Sequence, residues 1–231
     1  IIKSLTGVWK EEHVFELEQS YSIYQFYHAK LKECDAKIEE HLREKSGVDT
    51  FVEPQKKEKS NKNNLNFNGK EMLYELTGTD LAEIFGITET NAIEIISEVG
   101  LDMSKWPTVK HFTSWLNLAP NNKISGGKVL SSRIPKKKNH AGQIFRMAAF
   151  AIQRSKNWLA MFYNRIKAKN GAPKAIVATA RKIAAIFYKL VKERVKFNPI
   201  PIEKYMDGFK ENQIKKLKRQ AKNLGLQIVE M

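Results

Sequence analysis

Ser125 is followed by Gly126 and Gly127 and sits among Lys123, Lys128 and Arg133. Those residue types in that order suit one chemistry, the handling of a phosphodiester. Two glycines remove side-chain bulk, so a phosphodiester can approach the hydroxyl closely. The cations would stabilise charge developing on the phosphorus oxygens during a displacement. A serine hydroxyl is a poor nucleophile alone and needs a base or a metal to take its proton. No such partner is evident nearby; His111 and His140 are weak candidates, and His140 suits a backbone or phosphate contact better. Gly-rich basic loops bind phosphate far more often than they attack it, so plain phosphate binding stands beside nucleophilic attack. The run is not a Walker A loop, since Gly-x-x-x-x-Gly-Lys-Ser/Thr is absent.

The surroundings of this loop carry an unusual charge. The chain has 231 residues with 40 Lys and Arg against 25 Asp and Glu, a formal net charge of +15. Residues 1 to 103 hold 12 basic and 20 acidic residues, whereas residues 104 to 196 hold 21 basic residues and a single acid, Glu193. A stretch of 93 residues with one acid cannot neutralise itself, so its folded surface attracts a polyanion, and nucleic acid is the obvious one. A merely solubilising surface intersperses both signs. An anionic membrane would call for one basic amphipathic helix instead of a whole basic domain. Cys34 is the only cysteine, which excludes an internal disulfide and a cysteine-based zinc site and favours a reducing, cytoplasmic setting. No apolar run approaches the length of a membrane span. The opening Ile1-Ile2-Lys3-Ser4-Leu5 lacks an initiator Met and a signal-peptide core, and reads as the start of a fragment.

The elements that must position the loop read as mainly α. Residues 9 to 45 form one long helix whose a and d positions are Val14, Leu17, Tyr21, Tyr24, His28, Leu31, Asp35, Ile38 and Leu42. This coiled-coil-like arm, residues 1–47, is expected to make a homo-oligomer, a dimer or tetramer, with packing inside its own subunit as the alternative. Its histidines are too far apart to share a metal. Residues 48–70 are Asn- and Lys-rich and read as a polar linker. From Glu71 to Gly100 the pattern is helix, turn at Phe85-Gly86-Ile87, N-cap at Thr88, second helix and stop at Gly100. This resembles a helix-hairpin-helix element, whose turn amides at Gly86 would meet DNA phosphates; a purely structural αα-hairpin is the other reading. A short helix after Pro107 leads to Ala119-Pro120 and an irregular Ser-Gly-Gly loop. Two long helices, 141 to 168 and 173 to 196, follow as an antiparallel pair, then a basic tail, 201–231, with a helix at 209 to 225.

Taken together, these residues resemble a known family. The ordered motifs are Ile84-Phe85-Gly86-Ile87, Glu98-Val99-Gly100, Phe112 to Leu118-Ala119-Pro120, Ile124-Ser125-Gly126-Gly127-Lys128, Arg146-Met147-Ala148-Ala149, Phe162-Tyr163 and Lys174 to Lys182. They are similar to the C-terminal transposase domain of the DEDD insertion-sequence transposases, relatives of the Piv DNA invertase described as bridge-RNA-guided serine recombinases. Trp9-Lys10-Glu11-Glu12-His13 and the helix after it resemble that family's coiled coil, so the likeness spans residues 4 to 197. It implies a transposase domain over residues 71–200, a prokaryotic, nucleoid-associated setting, and DNA and a structured guide RNA as partners. It implies that Ser125 attacks DNA to give a phosphoserine link. Lys123, Gly126, Gly127, Lys128, Arg133, Lys136, Lys137, Lys138, Arg146 and Gly86 would then contact nucleic acid. The family's Mg²⁺ is held by the four acidic residues of a RuvC-like domain that would precede Ile1, so no cofactor is expected on these residues and the fragment would be inactive alone. Thr88 departs from the usual second glycine of the hairpin. The alternative function is a non-catalytic nucleic-acid scaffold built on the helix-hairpin-helix element.

Overall fold

A computed structural model describes residues 6, 7, 9–47, 65, 67–134 and 139–226. The described residues are mainly helical, with eight α-helices and one two-stranded sheet. None of these helices is long and apolar enough to cross a membrane. The chain divides into two compact units, Ile1–Leu76 and Thr77–Met231.

In the first unit, α1 runs over Glu11–Ser46 as 36 unbroken residues. Glu11 and Glu12 lie in its first turn and Arg43 and Lys45 in its last, each matching the sign of the helix dipole there. Gly47 closes it in the left-handed region, φ 68°, with its N–H donating to the Arg43 carbonyl. Lys30–Glu33 and Lys37–Glu40 pair along its surface. The a/d stripe is not buried inside the subunit: Val14, Leu17, Tyr21, Tyr24 and Leu31 are exposed, Leu17 by 60% and Leu31 by 62%. Only Leu42, near the end, is buried. The short helix α2, Gly69–Thr77, carries the buried Leu73 and Leu76. Most of the expected linker, at 48–64 and 66, lies outside the described residues.

The second unit is built on α7, Ala172–Glu193. Its buried residues Ala175, Thr179, Ala180, Ile183, Ala184, Phe187 and Tyr188 recur at helical spacing, and its alanines let neighbours approach closely. α5, His140–Ala151, and α6, Trp158–Asn170, both pack on it. So does α4, Val109–Trp115, while α3, Glu89–Val99, packs on α5. The centre is aromatic: Phe112, Phe145 and Phe187 are fully buried, with Phe145 and Phe187 ring centres 5.5 Å apart and Phe112 6.4 Å from Phe187. The Tyr188 hydroxyl donates to the Trp106 carbonyl at 2.7 Å, tying α7 to the segment before α4.

Three boundaries differ from the sequence reading, each for a local reason. The expected helix at 141 to 168 is two helices, because the Asn157 side chain accepts the Ala160 N–H at 2.9 Å and starts α6 afresh. Ahead of α3, the first helix expected from Glu71 to the Gly86 turn is interrupted: α2 ends at Thr77, and a separate 3₁₀ turn at Leu81–Glu83, capped by Asp80, leads to Gly86. The tail helix α8 spans Ile202–Asn223 and starts earlier than expected, after Pro201, which suits a helix start.

Candidate nucleic-acid interface

The Ser-Gly-Gly segment hangs from a corner that α5 holds down. The chain leaves α4 at Leu116, and Asn117 takes a positive φ of 55°, turning the backbone toward the buried Leu118. Three residues of α5 and its cap grip that corner. Asn139 caps α5 by accepting the Gly142 N–H at 2.7 Å and donates from Nδ2 to the Trp115 carbonyl at 3.2 Å. Gly142 has no side chain because the Leu116 carbonyl oxygen occupies the place, 2.1 Å from where a Cβ would be. Arg146 donates from Nη2 to the Asn117 carbonyl at 2.7 Å. Burial pushes the Arg146 pKa down from the usual guanidinium range. Arg146, expected to contact nucleic acid, thus serves the scaffold that carries the loop.

Beyond the corner the expected irregular loop is a regular hairpin. Strand β1, Lys123–Ser125, pairs antiparallel with β2, Lys128–Ser131, in the register Lys123↔Ser131, Ile124↔Val129, Ser125↔Lys128. Gly126 and Gly127 form its two-residue turn with φ of 53° and 73°, the pair of positive angles that a type I′ turn demands and glycine supplies. The register shift between Lys123 and Ile124 leaves Leu130 as an extra residue, a bulge that twists the pair. The Asn121 N–H donates to the Arg133 carbonyl at 3.1 Å and closes the base.

The hairpin stands in solvent. Ile124 is 63% and Leu130 70% exposed, so no core packing explains it. Lys123, Ser125, Lys128 and Arg133 are all exposed. Ser125 and Lys128 are directly opposed, which puts the hydroxyl and the ammonium on one face. An open pocket of about 490 Å³ lies along the hairpin base, lined by Asn121, Lys123, Leu130, Ser131, Arg133 and Ile134. Among the described residues no carboxylate pairs with Lys123, Lys128 or Arg133; ion pairs elsewhere in this unit include His140–Glu98 at 3.4 Å and Lys189–Glu193 at 3.8 Å. Lys136, Lys137 and Lys138 lie outside the described residues.

Nothing occupies the space where a Cβ on Gly126 would sit, so its glycine serves the turn and leaves room above it. Gly126→Asn keeps a good type I′ sequence, Asn-Gly, while adding bulk beside Ser125. Its melting temperature is expected to fall by no more than about 2 °C, since asparagine tolerates the left-handed backbone of the turn and about 0.5 kcal/mol is worth about 1 to 2 °C in a domain of this size. DNA affinity is expected to fall several-fold by fluorescence anisotropy. Unchanged affinity would mean that the glycine serves the turn alone.

Gly86 has a different place. With φ 84°, it brings the turn so close to α5 that a Cβ would lie 2.6 Å from the Ala148 carbonyl and 2.7 Å from Ile152 Cγ2. That contact accounts for the glycine by packing. Thr88 caps α3, its hydroxyl accepting the Asn91 N–H at 3.2 Å. Neither histidine is engaged with Ser125: His111 Nδ1 lies 2.8 Å from the Thr108 hydroxyl, and His140 faces Glu98. Among the described residues the Ser125 hydroxyl makes no hydrogen bond, and no three His, Cys, Asp or Glu side chains converge to hold a metal. Sequence reasoning missed the hairpin, although Gly-Gly between Ile124 and Val129 is its signal. It also missed Asn117, Asn139 and Gly142, whose partners lie 24 or more residues away or across helices.

The helical, basic unit thus presents an exposed hairpin whose cations have no carboxylate partner among the described residues. Residues 78–164 match the model of the transposase IS116/IS110/IS902 family, a stretch running from before α3 through the hairpin and α5 into α6. The match supports an insertion-sequence transposase and, with it, DNA transposition and DNA binding in general. No curated protein matches the chain by sequence.

Proposed function

We propose that this chain is the part of an insertion-sequence transposase that holds the nucleophile, and that Ser125 attacks DNA. The observation that carries this reading is the exposed hairpin, which presents Ser125 and Lys128 on one face at the tip of a strand pair free of acidic partners. In the step itself the Ser125 Oγ forms a bond to phosphorus and the bond from phosphorus to the leaving sugar oxygen breaks. The Oγ proton goes to a base and the leaving oxygen takes a proton, so charge and atoms balance. No base stands at Ser125 among the described residues, so the proton acceptor is supplied from elsewhere, by another domain, another subunit or the substrate. Lys123, Lys128 and Arg133 clamp the phosphate; Lys136, Lys137 and Lys138 follow on toward α5 and contact DNA or a guide RNA. The exposed stripe of α1 fits a homo-oligomeric coiled coil with a second copy, because Val14, Leu17, Tyr21, Tyr24 and Leu31 line one face of the helix at heptad spacing.

A second reading is a nucleic-acid scaffold without chemistry, in which the exposed cations of the hairpin bind and Ser125, with no base beside it among the described residues, is silent. Both readings require binding that weakens steeply with salt. If about six phosphates are neutralised, log Kd against log salt on duplex DNA is expected to change with a slope magnitude of about 5. Replacing Lys123, Lys128 and Arg133 with Gln should lower that magnitude by roughly 2 to 3, measured by anisotropy titration. A wild-type slope near zero would contradict both readings.

A further inference from the structure

Uncompensated charge gathers at a second place, where α6, α7 and α8 meet. Trp158, Phe162 and Arg165 recur at helical spacing on α6, Lys182 comes from α7, and Tyr205 and Phe209 come from α8. The Arg165 guanidinium lies 4.4 Å from the Phe209 ring centre, 5.4 Å from Phe162 and 5.7 Å from Tyr205. The Lys182 ammonium lies 4.8 Å from Phe162 and 5.7 Å from Trp158. Two cations thus share the Phe162 ring, and among the described residues neither has a carboxylate within ion-pair distance. The donors beside them are also unsatisfied. Trp158 is only 7% exposed, and among the described residues neither its Nε1 nor the buried Tyr205 hydroxyl has a hydrogen-bond partner. The Trp158 and Tyr205 rings are 5.6 Å apart, so both donors belong to one cluster.

Buried donors are ordinarily paired, and cations are ordinarily answered by acids. A cluster that fails both rules with one sign, all donors and all positive, lacks an anionic acceptor. We propose that this junction is a phosphate site for a nucleic-acid strand, in which Arg165 and Lys182 hold a backbone phosphate and Trp158 Nε1 and the Tyr205 hydroxyl donate to its oxygens. It rests on the nucleic-acid reading above and adds a contact separate from the hairpin. The rings suit it, because bases stack on aromatic side chains beside a tracked backbone. The cluster lies near the surface, since α8 carries no buried residue and meets α6 through these rings. Lys182 keeps part of its surface in water, yet desolvation by the packed rings, and then the Arg165 charge, hold its pKa below the usual lysine range. Burial holds the Tyr205 phenol above its usual range, against the opposing pull of Arg165. An anion in the cluster would relieve the strain on Lys182.

The test uses the 231-residue chain and fluorescein-labelled 20-mer single strands, one DNA and one RNA of the same sequence, titrated by anisotropy at several salt concentrations. The double variant Arg165→Gln with Lys182→Gln is expected to bind about tenfold more weakly at low salt, with the slope magnitude reduced by about 0.7 for one phosphate lost. Tyr205→Phe and Trp158→Phe keep the rings and remove only the donors; each is expected to weaken binding several-fold. A loss on one strand type alone assigns the site to that strand, and equal losses assign it to the shared backbone. Unchanged affinity and slope in the double variant, with wild-type circular dichroism, would overturn the proposal and leave the cluster a packing device. Should the double variant misfold, unchanged affinity in Tyr205→Phe overturns it instead. Gln at Lys123, Lys128 and Arg133 separates the two readings: loss there alone sinks only this site, and a wild-type chain that binds neither strand sinks both.

Discussion

Ser125→Ala is expected to lower strand transfer by roughly 10³-fold or more, the scale seen when a nucleophile is deleted, while DNA and RNA affinities stay within about twofold. The contrast between the two readouts follows from the site. Ser125 is exposed and its hydroxyl has no hydrogen-bond partner among the described residues, so its removal leaves no orphaned group and opens no cavity. The variant's stability should therefore equal that of the wild type within about 0.5 kcal/mol. Any loss of activity is then a loss of chemistry. The assay is recombination by the gene product that carries this chain, together with a search for a protein–DNA adduct that survives detergent. Retained strand transfer would refute the nucleophile assignment and favour the scaffold reading, in which the lysine-cluster and Gly86 changes lower affinity and Ser125 is silent.

The second large effect concerns a residue with no chemistry of its own. Gly142→Ala should destabilise the second unit by about 3 kcal/mol, at or beyond the upper end of ordinary overpacking. Two terms oppose each other. Alanine improves helix propensity by about 1 kcal/mol over glycine, and Gly142 has ordinary helical backbone angles that alanine accepts. Against this, its Cβ would lie 2.1 Å from the Leu116 carbonyl oxygen, a backbone atom that no rotamer change can move aside. The clash wins, and α5 must back away from the corner at Leu116 to Leu118. For a domain of this size the shift in melting temperature is about 6 to 12 °C downward, measured by circular dichroism at 222 nm. The hairpin hangs from the same corner, so DNA affinity should fall with it. A melting temperature equal to the wild type's or higher would show that propensity outweighs the close approach.

What could be read in one dimension is local or additive. The helical character of the chain was legible from periodicity, and the long arm at 9 to 45 corresponds to α1 almost residue for residue, because a heptad stripe and terminal charges need no distant partner. Thr88 and Gly100 were legible as helix ends because a cap is made within one turn. Charge adds up along a chain, so the imbalance over 104 to 196 survives folding unchanged. The Ser125 neighbourhood was visible as residue types, though its shape was not: three residues of one strand pair with four of another only once the turn has closed, and the short β-signal was hidden inside a helical context. Tertiary contact alone decided the rest. Arg146 reads as one more cation until the Asn117 carbonyl, 29 positions away, accepts a hydrogen bond from it. Gly86 reads as a phosphate cradle until α5 arrives against it. Arg165 and Lys182 count only toward the charge of the basic stretch until three helices bring four aromatic rings around them. Composition determines how much charge and apolar surface the protein has; only the packing of helices determines which of those groups are answered inside the molecule and which are left to meet a ligand.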